Sequence, residues 1–200
     1  MMGAGCVPRL YSSDADAPAR LWEAPSNRWP SAAPPADLVA AGFAPGQVPP
    51  DVRGVDQFGD EVSLWQFYGR PIVFDISTMW CAPCQDLAKG AEEINQHFAE
   101  DGLIYLTALL ENEHREGPTV EELELWSRFP AFHSDPDHPY DRITGPIISD
   151  PLGQSGSARA VRNGQYPVAL LINPDLTVER RVDPPTDAAI EAAIRRWLYD

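Results

Sequence analysis

Three apolar runs stand out along the chain: Ile72-Val73-Phe74-Asp75-Ile76, Leu103 to Leu110 and Val168 to Asn173. Runs of this length with almost no polar alternation suit strands covered on both faces. Between the first two, Leu87, Ala91, Ile94 and Phe98 recur at spacings of 4, 3 and 4, which predicts a helix from about Cys81 to Ala99. Thr119 to Phe129 predicts a second helix, opened by a capping box in which Thr119 caps and Glu122 reaches back. The chain ends on an amphipathic helix with Ile190, Ala193, Ile194, Trp197 and Leu198 on one face. Thr186 is its cap, and Arg195 and Arg196 sit at its negative end. Val52 to Val55 and Glu61 to Leu64 flank Asp56-Gln57-Phe58-Gly59-Asp60, the signature of a hairpin in which Gly59 takes a positive φ. Gly145 to Pro151 reads as a further strand, Gln154 to Val161 as a short helix, and Pro174-Asp175 as a turn into Thr177 to Val182. Strands alternating with helices, then a hairpin and a last helix, predict an α/β sandwich.

The first fifty residues break this pattern. They hold nine of the 21 prolines and eleven alanines, with little apolar periodicity. Residues 1–46 are therefore expected to form a Pro/Ala-rich arm or tether, and 47–200 the domain. Trp22, Trp29 and the stretch Leu38 to Phe43 are the places where the arm could instead pack on the domain as a short helix. Charge divides the same way: of the formal −15, only −1 lies in the first fifty residues. So acidic a chain is a poor match for nucleic acid or anionic membrane. It points instead to basic or neutral protein partners. The segment 111–142 carries nine acids against three arginines and reads as a charged loop, with partner selection beside the active site as the alternative.

Candidate chemistry concentrates at Trp80-Cys81-Ala82-Pro83-Cys84. A Cys-x-x-Cys pair between a buried strand and a helix places its first thiol at the helix N-terminus. There the free N–H groups and the macrodipole favour thiolate. Only the thiolate attacks a disulfide, so Cys81 is the candidate nucleophile. Cys84, one turn on and deeper, is the candidate resolving thiol. Pro83 suits a first helical turn. Half a zinc site is a poorer reading, because the third cysteine, Cys6, lies in the arm. An inert structural disulfide is the other bland reading.

These residues, with Asp56-Gln57-Phe58-Gly59, Ser63-Leu64, Gly69-Arg70-Pro71 and Tyr166-Pro167, make Val52 to Leu198 resemble the thioredoxin superfamily. Within it they resemble the branch of TlpA/ResA-like (AhpC/TSA-type redoxin) thiol–disulfide oxidoreductases. The resemblance implies a thioredoxin-like fold, a central mixed sheet flanked by helices with an N-terminal β-hairpin. It implies reduction of disulfides in partner proteins by a Cys81–Cys84 dithiol cycle, with no metal and no cofactor beyond that disulfide. The electron donor stays unidentified, and a monomer is expected. Pro167 takes the place of the family's cis-proline, facing the disulfide. Trp80, Ala82, Pro83 and Tyr166 are expected to meet the substrate. Tyr166 departs from the family, where a small or β-branched residue is commoner before that proline.

Asp75 lies six positions before Cys81 and matches the buried carboxylate of thioredoxins proper. Burial would raise its pKa and fit it to exchange a proton with Cys84. The lysine that thioredoxins place on the next strand is missing from Leu103 to Leu110. A carboxylate held by backbone N–H groups is the alternative.

Two other functions use the same residues. Thr78 three positions before Cys81 resembles a peroxiredoxin, although Phe74 stands where that family needs proline. A metallochaperone would combine Cys81 and Cys84 with His133 or His138, which the proline-rich surroundings otherwise describe as an exposed loop. Ala4-Gly5-Cys6 resembles the end of a lipoprotein signal, without the charged and apolar stretch that should precede it. Either the chain starts late or the match is accidental. The family resemblance makes an extracytoplasmic, periplasmic location the expectation, with a membrane tether through a lipidated Cys6 and a cytoplasmic location as alternatives.

Overall fold

The hairpin forms as its turn chemistry requires: β1 (Arg53–Asp56) and β2 (Glu61–Ser63) pair antiparallel, and Gly59 adopts φ +86° between them. Asp56 Oδ1 accepts from the backbone N–H groups of Phe58 and Asp60 at 2.9 Å and fixes that turn. The computed structural model describes residues 22–200. After the hairpin come β3 (Ile72–Ser77), α1 (Ala82–His97), β4 (Ile104–Leu109), α2 (Val120–Trp126) and β5 (Ile147–Ser149). β6 (Val168–Ile172), β7 (Val178–Val182) and α3 (Asp187–Tyr199) complete the chain. The strands form one mixed sheet in the order β2-β1-β5-β4-β3-β6-β7. β3 runs parallel to β4 and antiparallel to β6, so the strand leading to Cys81 lies near the sheet's centre and is buried throughout. This is the thioredoxin-like architecture expected.

Strand alternation divides the core in two. Val73, Tyr105, Leu109, Ala169 and Leu171 face the side where α1 and α3 pack. Ile72, Phe74, Ile76, Leu106 and Leu170 face the other. That second face is closed largely by the segment before the hairpin. Trp29, Leu38, Phe43 and Val48 pack against it. Trp29 Nε1 donates to Asp56 Oδ2 at 2.7 Å, and Ala32 bridges to Phe67. Gly46 and Gln47 exchange backbone hydrogen bonds with Val178, at 2.7 and 2.8 Å, on the outer edge of β7. Residues 22–46 thus lie against the domain, in extended backbone and turns rather than as a short helix. Cys6 and the rest of the arm lie outside the described residues.

The short helix predicted at Gln154 to Val161 is replaced by two 3₁₀ turns, Pro151–Gly153 and Ser157–Ala160. Leu152, Gly153 and Gly156 take φ of 54°, 67° and 116°, which no α-helix tolerates. The Asp150 carboxylate binds the Ser155 N–H and the Ser157 hydroxyl instead. Segment 111–142 is more than a solvated loop. It contains α2 with the predicted Thr119–Glu122 capping box, and it buries Leu123 and Trp126 completely. No helix among the described residues is long and apolar enough to cross a membrane.

Candidate active site

Cys81 is the N-cap of α1, in extended backbone, and its carbonyl accepts from the N–H groups of Cys84 and Gln85 at 3.0 and 3.1 Å. Its side chain therefore leaves the chain at the positive end of α1, where Ala82 alone of the first three positions keeps an N–H without a helical partner. Pro83 occupies the second helical position, where a missing N–H costs nothing. Cys81 and Cys84 are joined as a disulfide with Cα atoms 5.2 Å apart. Cys81 keeps 6% of its surface and Cys84 none, so an incoming sulfur can meet only the first. The couple is a tight Cys-x-x-Cys pair, the arrangement of a dithiol–disulfide cycle.

Trp80, Cys81, Pro83, Tyr166 and Pro167 line one groove of about 500 Å3, with Ala82 also at its wall. The Tyr166–Pro167 peptide is cis, as the resemblance required of that position. Tyr166 meets Trp80 edge-on, with ring centroids 5.8 Å apart. Two residues that sequence reasoning missed hold Trp80 from its other side. Glu111 Oε2 accepts from Trp80 Nε1 at 2.7 Å, and the Arg115 guanidinium lies 3.8 Å from the indole centroid. Arg115 has φ +64° in a turn braced by Asn112, whose Oδ1 accepts from the N–H groups of His114 and Glu116. The acidic segment thus reaches the groove only through Trp80, which Glu111 and Arg115 hold from behind.

Asp75 is fully buried and faces α1, as Val73 does. Its carboxylate accepts from Ser77 Oγ at 2.6 Å and from Thr107 Oγ1 at 3.4 Å. Thr107 stands opposite it in the β3–β4 register. The partners of Asp75 are thus side-chain hydroxyls, not backbone N–H groups, and a hydroxyl stands on the strand where thioredoxins place a lysine. Burial pushes its pKa up to about 7, against the lowering effect of those hydroxyls. Asp187, at the first position of α3, is also pushed up to about 7 by burial and by Glu93 and Asp86. It packs over Gly90 of α1, where a Cβ would strike its carboxylate. Tyr105 is buried on the same side of the sheet, and its hydroxyl has no partner among the described residues. Burial and the two carboxylates raise its pKa. Ser77 was readable from strand alternation, two residues after Asp75. Asp187 was not, because its burial depends on a glycine almost a hundred residues earlier.

His133 and His138 do not join the cysteines. They gather with Glu93, their ligating atoms within 4.8 Å of one another, about 18 Å along α1 from Cys81. His138 is largely buried there and stacks on His133, so this stretch is not the simple exposed loop expected. The metallochaperone's ligand set is not assembled among the described residues.

No protein-family model matches the sequence, and no curated protein matches it. Solved structures do match. The thioredoxin domain of a thiol–disulfide oxidoreductase from Bacteroides vulgatus is 15% identical, with a TM-score of 0.60, over 78% of this chain and 99% of that one. A putative thiol:disulfide interchange protein DsbE from Chlorobium tepidum is 20% identical, with a TM-score of 0.58, over 78% and 98%. A secreted Mycobacterium tuberculosis disulfide oxidoreductase homologous to E. coli DsbE is 13% identical, with a TM-score of 0.54, over 72% and 94%. Likeness at such identities establishes the fold.

Proposed function

We propose that this thioredoxin-fold chain is a thiol–disulfide oxidoreductase that reduces disulfides in partner proteins. The observation that carries the reading is the position of Cys81: cap of α1, partner of Cys84, and the sulfur that opens onto the groove beside cis-Pro167. In the reduced chain the Cys81 thiolate attacks one sulfur of a substrate disulfide. The substrate S–S bond breaks, a mixed disulfide forms, and the first substrate thiolate leaves and takes a proton. Cys84 gives its proton to Asp75 and attacks Cys81 Sγ, which releases the second substrate sulfur as thiol. Two electrons pass to the substrate, and the Cys81–Cys84 disulfide is restored to await an external dithiol.

Asp75 fits the middle step because a carboxyl with a pKa of about 7 exchanges protons readily near neutrality. Trp80, Ala82, Pro83 and Tyr166 form the wall a polypeptide meets. An extracytoplasmic site of action accompanies this reading, as stable protein disulfides, its substrates, persist in oxidising compartments and one structural neighbour is a secreted protein. Steady-state reduction of insulin tests the proposal. The chain is expected to catalyse it and the Cys81→Ser variant to lose it completely, whereas activity surviving in that variant would refute the nucleophile.

A further inference from the structure

The arginines of this acidic chain are not spread evenly. Four of the fourteen, Arg159, Arg162, Arg180 and Arg181, line one groove of about 380 Å3, closed on its far side by Phe43 and Pro45. They come from three places: the Ser157–Ala160 turn, the loop leading to Tyr166-Pro167, and the edge strand β7. Among the described residues, Arg159, Arg162 and Arg181 have no carboxylate within the 4.0 Å of an ion pair, and Arg180 reaches only its neighbour Glu179 at 3.2 Å. Arg180 Nε is buried without a partner among the described residues. Burial, then the neighbouring Arg162 charge, lowers the pKa of Arg181, with Asp183 partly offsetting them.

Arg181 Nη1 donates to the Ala160 carbonyl at 2.8 Å; the remaining donors of this set are complementary to carboxylates, which guanidinium groups bind bidentately. The groove neighbours the reactive one, since Arg181 lines both. A polypeptide that lays a disulfide against Cys81 brings its flanking residues to these arginines.

We infer that the arginine groove binds acidic side chains of the substrate protein, so that the chain selects disulfides flanked by Asp or Glu. This rests on the oxidoreductase reading and names the substrate class. It reverses what net charge alone predicts. The formal −15 belongs to the whole surface, and exposed charges beyond a Debye length of about 8 Å are largely screened at physiological salt. The charge where the partner docks has the opposite sign.

The test uses the full chain, hydroxyethyl disulfide and two peptides that share one disulfide and differ in flanking Glu or Gln. The Glu peptide is expected to show a kcat/KM about tenfold above the Gln peptide, a preference that shrinks as salt rises. Arg159→Glu/Arg162→Glu is expected to abolish the preference when each peptide rate is taken relative to the same protein's hydroxyethyl disulfide rate. If the double variant does not fold, Arg159→Gln/Arg162→Gln serves in its place. Failure to reduce any of the three substrates would overturn the oxidoreductase reading itself. Reduction of hydroxyethyl disulfide with equal rates on the two peptides, or a preference that survives in the variant, would overturn this inference alone. So would binding of inorganic phosphate or phosphatidylglycerol vesicles at the groove without any peptide preference.

Discussion

Asp75 couples the stability of the molecule to the pH at which its chemistry runs. Its carboxyl titrates at about 7 in the folded chain and near 3.9 in an unfolded one. The folded state therefore holds the proton more tightly. Its contribution to stability is greatest below about pH 4, falls as pH rises towards 7, and is level above. Asp187, also at about 7, acts in the same window. Asp75→Asn removes one of the two penalties. Its unfolding free energy in urea is expected to match or trail the wild type at pH 4 and to exceed it at pH 8, by an amount on the order of a few kcal/mol. Parallel pH dependences in the two proteins would show that Asp75 ionises normally. The same variant is expected to reduce insulin roughly tenfold more slowly or worse, with an altered pH profile. An unchanged profile would remove Asp75 from the proton path.

Elements carry the site as much as residues do. Helix α1 presents Cys81 at its start and makes room for Asp187 at Gly90. In an isolated helix Gly→Ala would gain about 1 kcal/mol. Here Gly90→Ala is expected to lose roughly 1–3 kcal/mol in urea unfolding, because the new methyl strikes the Asp187 carboxylate. A stabilised variant would contradict that packing. The contrast shows what was legible in the sequence. Apolar periodicity and local chemistry located β3, α1, the Thr119–Glu122 box, the Gly59 turn and the Cys81–Cys84 pair, because each depends on neighbours within a few residues. Asp187 over Gly90, Arg115 over Trp80 and the four-arginine groove join parts of the chain that the sequence keeps apart. The turns at 151–160 were misread for a related reason. Asp150 satisfies the backbone from its side chain, and two glycines at positive φ stop a helix from propagating.

At the scale of the whole molecule, the segment 22–46 is part of the fold. It covers the sheet face opposite α1 and α3 with Trp29, Leu38 and Phe43, and it helps wall the arginine groove. Trp29→Ala is expected to lower stability in urea by about 2 kcal/mol, less than a fully buried tryptophan would, because the ring is half-buried. A midpoint unmoved from wild type would mean that the segment docks without contributing. The site turns on one sulfur: strand, helix cap and groove serve an attack by Cys81, and the buried acid serves the step that resolves it. Intact-mass analysis of Cys84→Ser and Cys81→Ser, each reduced and mixed with a disulfide-bonded peptide, tests this most directly. A stable mixed disulfide in Cys84→Ser and none in Cys81→Ser is the expected result, whereas an adduct carried by Cys84 in the Cys81→Ser variant would contradict it.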